Sequence, residues 1–329
     1  MTDRPARPST DGTSEAKRSD SGTARSKPRA SGRPGQSQRP PDYVVIGHIS
    51  ADILPDGKAV LGGTALYSAL AAATFGWRVG VLTRGKYGFN LNGLEIPPLE
   101  FGHERIQVVV QDAEWPTCFV NEYWAAGRRT QQIPRWAGPI DLRGLPPSWQ
   151  SARVIHLGPI AQEIDVRQSA GLNPRFLGAT PQGWMRDWPR GPGGRVQPIH
   201  LRLPGEFVSQ LDGIVVNDEE FSYSRDTVEA VGKDGYGVVT FGENGARLYS
   251  PRGQTTVPSF KVPVVDLTGA GDVFTAAFFY RITDPSFTPE EALQFAHAAA
   301  GLSLGGVAAT HIPTRPEIKR LMDRVADSV

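Results

Sequence analysis

The sequence predicts an α/β fold with a mostly parallel central sheet and a small antiparallel β lid attached to it. Three observations predict this. A continuous apolar run at 43–47 (YVVIG) reads as a strand buried on both faces, the mark of a parallel sheet covered by helices, and 153–158 (RVIHLG) and 213–217 (GIVVN) read as further strands. These runs alternate with small-residue or amphipathic helical stretches in βαβ order. Residues 106–134 break the pattern, because IQVVV, TCFVNEYW and RRTQQI alternate in polarity and follow one another through short turns such as Ala125-Ala126-Gly127, without helices. That segment reads as a flap of the kind that keeps water from a site, with a plain edge extension of the sheet as the alternative.

Composition bounds what the chain can be. With 39% apolar and 9% aromatic residues it is an ordinary globular sequence with a sizeable core. No apolar run reaches the roughly 18 residues of a membrane span, and the N-terminus lacks the apolar core of a secretory signal, so a cytoplasmic protein is expected. One cysteine, Cys118, rules out an internal disulfide and a cysteine-based zinc site, and its strand-like surroundings make it a half-buried hydrophobe. The net charge of +1 hides an asymmetry: residues 1–41 hold nine Lys and Arg against four Asp and Glu, leaving 26 against 30 in the rest. That tail is Ser, Pro, Gly, Arg and Thr with almost no large apolar side chain, so it is expected to be disordered. The slightly acidic body gives no sign of a nucleic-acid surface.

The folded body begins with YVVIG, which ends at His48 and Asp52. Ligands of open α/β sheets bind at the carboxyl edge of the strands, which makes Asp52 a substrate-binding candidate, with a turn or capping Asp as the alternative. Gly62-Gly63 then opens the helix TALYSALAAATFG, where a missing Cβ admits a close approach by a ligand or by packing. Gly80 to Lys86 has Walker A spacing, but Tyr87 follows where Ser or Thr should stand and Gly80 falls inside a strand, so it is rejected. The strand RFLGAT leads into PQGWMRDW, whose Gln182 and Arg186 again sit where ligands bind; Arg186 reads as a phosphate clamp or as a surface arginine. Residues 189–195 are a loop.

GIVVN runs into Asn217-Asp218-Glu219-Glu220, a capping box that could also hold a hydrated Mg²⁺. Strand, turn and strand follow in GVVTFGENGARLYS, with Thr240, Gly242 and Gly245 at the turn. The stretch from Val262 to Tyr280 (VPVVDLTGAGDVFTAAFFY) reads as strand, glycine turn and buried helix. Its turn aims backbone N–H groups, with the helix dipole behind them, at a site suited to anionic oxygen. Asp272 beside that site is either a helix N-cap or a group facing a reactant. The helices PEEALQFAHAAAGLSLG and 315–326 close the fold, without internal repeat.

In this order the pieces resemble the ribokinase family, the PfkB-type carbohydrate kinases, over residues 43–326. Asp266-Leu267-Thr268-Gly269-Ala270-Gly271-Asp272 resembles the family's C-terminal signature, with Leu267 where Thr is frequent. Gly62-Gly63 resembles its N-terminal glycine pair, Asn217 with Glu220 its Asn-x-x-Glu magnesium motif, and Thr240-x-Gly242-x-x-Gly245 its nucleotide loop. Asp52 falls where the family carries a sugar-binding Asp, and Tyr67 where ribokinase itself has a substrate-contacting Asn. The segment between Asp52 and Gly62 is too short for ribokinase's long lid hairpin; with the Gln182 to Trp188 run it resembles the family's myo-inositol kinases.

The resemblance implies a ribokinase-like three-layer sandwich over 42–329, with the lid at about 106–134. It implies an ATP- and Mg²⁺-dependent kinase for a sugar or polyol, with a nucleoside kinase as the alternative. Asp272 would be the general base and the Gly269-Ala270-Gly271 turn the anion hole. Asp52, Gly62, Gly63 and Arg186 would meet the substrate, and Asn217 and Glu220 would position the metal. Thr240, Gly242, Gly245, Thr268, Ala298 and Gly301 would flank the nucleotide, with a monovalent cation near Asp266. The expected partner is a small molecule, with no nucleic acid and no membrane, and a homodimer is left open. A non-catalytic sensor on the same fold is a further alternative, against which the intact Gly-Ala-Gly-Asp and Asn-x-x-Glu motifs argue. The absence of Gly-x-Gly-x-x-Gly from YVVIGHIS argues against a dinucleotide oxidoreductase.

Overall fold

The computed structural model of the protein describes residues 39–91, 93–123, 129–190 and 194–326. Residues 1–38 of the expected disordered tail, the expected turn at Ala125-Ala126-Gly127 and 191–193 of the expected loop lie outside the described residues.

The chain starts with β1 (Tyr43–Ile46) and turns into a hairpin of β2 (Ser50–Ile53) and β3 (Ala59–Gly62). Helix α1 (Thr64–Thr74) and β4 (Val79–Arg84) complete the first βαβ unit. A small hairpin, β5 (Phe89–Leu91) and β6 (Leu94–Ile96), precedes β7 (Ile106–Gln111), β8 (Cys118–Tyr123) and β9 (Arg129–Arg135). Then come β10 (Val154–Leu157), β11 (Phe176–Ala179), the two-residue strands β12 (Arg186–Asp187) and β13 (Gln197–Pro198), and the single turn α2 (Gly205–Val208). The C-terminal half adds β14 (Gly213–Asn217), α3 (Asp218–Asp234), β15 (Tyr236–Thr240), β16 (Ala246–Ser250) and β17 (Gly253–Val257). Helices α4 (Ala270–Ile282), α5 (Pro289–Ser303) and α6 (Arg315–Ala326) finish the described chain.

The main sheet has the order β17-β16-β15-β14-β11-β10-β1-β4-β7. Its pairings from β7 to β15 are parallel, and β16 and β17 add an antiparallel edge. Side chains alternate between the two faces, as a pleated strand requires. Tyr43 and Val45 enter a core with α1, α4, α5 and α6, whereas Val44 and Ile46 enter a second core with α3 and the segment around Leu142 and Trp149. This makes the three layers that the sequence implied. No helix among the described residues is long and apolar enough to cross a membrane.

Two expectations need correction. Ile106–Gln111 is not part of the flap: β7 pairs in parallel with β4 as the edge of the main sheet, where partial cover produces the same mixed polarity as a flap strand. The lid is instead a four-stranded sheet of order β3-β2-β8-β9, in which β2 and β8 run parallel and the other pairs antiparallel. The segment between Asp52 and Gly62 therefore does form a lid hairpin, a short one. The β5–β6 hairpin backs the lid, with Ile96 packed against Ala51, Ala59 and Cys118. Cys118 is fully rather than half buried, and that burial pushes its thiol up to about 11.

The second correction concerns Val262–Val265, which forms no strand. Val264 is 56% and Val265 62% exposed, and Val265 N–H bonds to the Leu304 carbonyl at 2.8 Å instead of to a sheet. A β-branched run here borders a cleft.

Candidate active site

A cleft of about 780 Å³ opens between the lid and the carboxyl ends of the parallel strands. At its centre is the start of α4. Gly269 holds φ 78°, ψ −3°, a left-handed conformation that strongly favours glycine, and occupies the N-cap position without a side-chain cap bond. A Cβ there would lie 2.3 to 2.5 Å from the ring of Tyr67, so the turn rests directly on that ring. The first helical bond runs from Val273 N–H to the Gly269 carbonyl at 2.9 Å; ahead of it Ala270 N–H makes a long bond to the Leu267 carbonyl at 3.4 Å, and the other amides of the first turn are helix-end donors. Beside Gly271 a Cβ would meet nothing within 4 Å, because the space in front of it is cleft.

Asp272 is the third residue of α4, not its N-cap, so capping does not account for it. Its carboxylate lines the cleft and is otherwise enclosed by protein. That enclosure raises its pKa to about 6, assisted by the negative charge of Glu220 and opposed by a hydrogen bond from the Thr64 side chain and by Arg186. Linkage fixes the sign of the effect on stability. The folded value lies above the unfolded one, so the contribution of protonated Asp272 is complete below about 3.8 and is lost as pH rises through about 6. Asp272→Asn is therefore expected to flatten the stability of the protein across that window, as read by chemical denaturation at a series of pH values.

Across the cleft Asp52 lies in β2 of the lid, rather than in a turn, and its Oδ1 accepts from the Ser50 hydroxyl at 2.9 Å. A Cβ on Gly62 would come within 2.8 Å of the Asp52 carboxylate, and one on Gly63 (φ +93°) within 2.8 Å of the His48 carbonyl. The glycine pair thus lets the lid hairpin, Asp52 included, fold down onto the start of α1. Asn121 and Gln131 also line the cleft from the lid and bond to each other, Gln131 Nε2 to Asn121 Oδ1 at 2.8 Å.

On the floor, Asn217 and Glu220 form a full capping box at the start of α3: Asn217 Oδ1 accepts from Glu220 N–H at 2.8 Å and Glu220 Oε2 from Asn217 N–H at 3.1 Å. Glu220 Oε1 accepts from Gln182 Nε2 at 2.9 Å. Burial holds the Glu220 carboxyl above its usual range, against these hydrogen bonds and the pull of Arg186. Arg186 donates to the Ile160 carbonyl at 2.8 Å and stacks 5.3 Å above the Phe119 ring. No group of three or more His, Cys, Asp or Glu side chains among the described residues could cage a metal. With both Glu220 oxygens already accepting protein donors, Asn217 and Glu220 fit a Mg²⁺ that keeps its own waters and do not make an all-protein cage.

Thr240, Asp266 and Thr268 also line the cleft, and Asp266 Oδ1 accepts from Thr268 N–H at 2.9 Å and from its hydroxyl at 2.7 Å. Gly242 (φ +56°) and Gly245 (φ +94°) form the turn between β15 and β16, outside the cleft lining. Ala298 is wholly buried within α5 and presents no surface to a ligand, and Gly301 packs against Val262. Sequence reasoning left Thr64, Asn121 and Gln131 unmarked. Gln131 and Asn121 belong to alternating strands whose facing side only the lid pairing reveals, whereas Thr64 follows the glycine pair and could have been found from it.

Residues 208–315 match the model of the pfkB family carbohydrate kinases. Among curated proteins, fructokinase-1 of Oryza sativa subsp. japonica is 34% identical over 125 residues, 36% of each chain, and ribokinase of Bacillus subtilis (strain 168) is 40% identical over 85 residues, 26% of this chain and 29% of that one. The chain thus spans about a third of the length of these relatives. Among solved structures, a pyrophosphate-dependent kinase in the ribokinase family, complexed with a pyrophosphate analog and myo-inositol, has a TM-score of 0.64 at 20% identity, covering 85% of this chain and 99% of that one. Arabidopsis thaliana ribokinase complexed with ribose and ATP has a TM-score of 0.58 at 20% identity, covering 86% and 99%. Residues 208–315 thus carry the pattern of the pfkB family carbohydrate kinases, and the described chain has a ribokinase-like fold.

Proposed function

We propose that the protein is a kinase that transfers the γ-phosphoryl group of ATP to a hydroxyl of a sugar or polyol. The observation that carries this reading is the pairing of Asp272, raised to about 6, with the cleft-facing turn of Gly269, Ala270 and Gly271 at the start of α4. Phosphoryl transfer asks a protein for an oriented hydroxyl, a base beside it and donors around the moving group. Asp52 binds and orients the acceptor. Asp272 takes the proton from its hydroxyl while the new O–P bond forms and the bond to the ADP oxygen breaks. The amides of the turn and the charge of Arg186 stabilise the phosphoryl oxygens. Asn217 and Glu220 would hold a hydrated Mg²⁺, which would neutralise phosphate charge. The lid keeps water out of the cleft.

The donor is read from the rim. The similar inositol-bound structure belongs to a pyrophosphate-dependent kinase. Here Val264, Val265 and Val307, each more than half exposed, border the cleft near Thr240 and Thr268. A nucleotide base would cover that apolar rim, whereas pyrophosphate would leave it bare. The acceptor side holds Asp52, Asn121 and Gln131, side chains suited to the hydroxyls of a neutral polyol.

A coupled ADP-release screen with ATP and Mg²⁺ against hexoses, pentoses, inositols and nucleosides tests the reading. Acceptor-dependent ADP with a sugar or inositol supports it. ADP release with nucleosides alone would make the protein a nucleoside kinase, and binding without turnover would make it a sensor. With the accepted substrate, Asp52→Asn is expected to raise the acceptor KM about tenfold or more, the worth of a charge-assisted hydrogen bond, and to leave the ATP KM unchanged.

A further inference from the structure

The mechanism leaves one buried carboxylate unused. Glu163 is wholly buried in the loop after β10 and collects backbone N–H donors from two places. Its Oε1 accepts from His48 at 2.9 Å and from Ile160 at 2.9 Å, and its Oε2 from Ile160 at 3.1 Å and Ala161 at 2.6 Å. The nearest ring nitrogen, Nδ1 of His48, is 4.0 Å away, and burial holds that imidazole below its usual pKa. Placing a carboxylate in this position is expensive unless its hydrogen bonds achieve something that an apolar side chain could not.

The donors lie at a junction. His48 is where the chain leaves β1 for the lid, and its carbonyl touches Gly63, where the chain returns. The His48 ring hydrogen-bonds through Nδ1 to the Thr117 hydroxyl at 2.8 Å, just ahead of β8, and that hydroxyl accepts from Ala137 N–H at 3.0 Å, just after β9. All four crossings between body and lid therefore meet around His48 and Thr117. On its other side, Glu163 fixes the Ile160 peptide, whose carbonyl holds Arg186 at 2.8 Å and whose side chain lines the cleft.

We propose that Glu163 is a positioning residue, the joint through which the lid crossings and Arg186 are held in one geometry. An acceptor-only group suits this role, because every donor it meets is an N–H. Glu163 acts through Arg186 and the lid without touching substrate. Only the kinetic part of the proposal rests on the kinase reading.

The test is Glu163→Gln, which replaces one acceptor oxygen by a donor and leaves an N–H unpaired. Hydrogen exchange read by mass spectrometry is expected to accelerate about tenfold in β2, β3, β8 and β9 with β10 and β11 unchanged. In the accepted phosphoryl-transfer assay, kcat/KM is expected to fall about tenfold or more, and Glu163→Gln on top of Arg186→Ala to add less than it costs alone, the remainder acting through the lid. Lid exchange that is unchanged, or that rises alike across the molecule, would overturn the proposal, as would losses that multiply in the double variant. Should Glu163→Gln not fold, Thr117→Val probes the other arm of the joint, with the same lid-confined acceleration expected and its absence equally fatal. A loosened lid in a protein that transfers no phosphoryl group would sink the kinase reading and leave the joint standing.

Discussion

Asp272→Asn is expected to leave the fold intact and to slow phosphoryl transfer by about 10²-fold or more, the range for a removed general base. Structure and chemistry separate cleanly in this substitution. Asparagine keeps the size of the side chain and the Thr64 hydroxyl as a neighbour. The N-cap of α4 is Gly269, so no capping bond is lost. What disappears is a carboxylate able to accept a proton beside the cleft-facing turn. Steady-state rates at saturating ATP, with circular dichroism as the fold control, check the outcome. Turnover near that of the wild type would end the assignment of the base. In the wild-type protein the rate is also expected to fall as pH drops through about 6, where Asp272 takes up its proton, and to hold above it.

The second large effect belongs to the turn itself. Gly269→Ala must place a Cβ at φ 78° and within 2.3 to 2.5 Å of the Tyr67 ring, which at 2% exposure has little room to move. The left-handed backbone alone is unfavourable by about 1–2 kcal/mol for a non-glycine residue, and forcing an extra group into a packed site adds about 1–3 kcal/mol. A fall in thermal midpoint together with lost activity is expected. Gly271→Ala makes the contrast, because its Cβ meets nothing and alanine improves on glycine in a helix by up to about 1 kcal/mol. That variant is expected to be at least as stable as the wild type and less active, since the new methyl enters the space in front of the amides. Equal stability in the two variants would refute the packing of Gly269 on Tyr67.

The two glycine variants also mark what the sequence could and could not disclose. The turn before α4 was legible because Gly-Ala-Gly ahead of an apolar helix constrains the backbone locally, and the Asn217–Glu220 capping box was legible for the same reason. Elements defined by distant partners were not. Ile106–Gln111 shows the polarity of a half-covered strand, which is the same for a lid and for a sheet edge, so only its pairing with β4 decides between them. Val262–Val265 has strand composition but borders the cleft, because a run of valines reads alike whether a sheet or a ligand is to cover it. Asp52 was marked as a site residue, with a turn as the alternative, but its strand was not legible, since the four-residue strands β2 and β3 are too short to show a period. Glu163 gave no signal at all: its donors come from His48, Ile160 and Ala161, and only the fold brings His48 to it.

The central claim is that the cleft moves a phosphoryl group from ATP to a hydroxyl with Asp272 as the base. The most direct measurement is ³¹P NMR of ATP and Mg²⁺ incubated with the protein and each acceptor of the sugar and inositol panel. A new phosphate-monoester resonance that requires the acceptor, grows in step with ADP and is lost in Asp272→Asn is the expected result. ATP that stays intact with every acceptor, or that yields ADP and inorganic phosphate whether or not an acceptor is present, would contradict it.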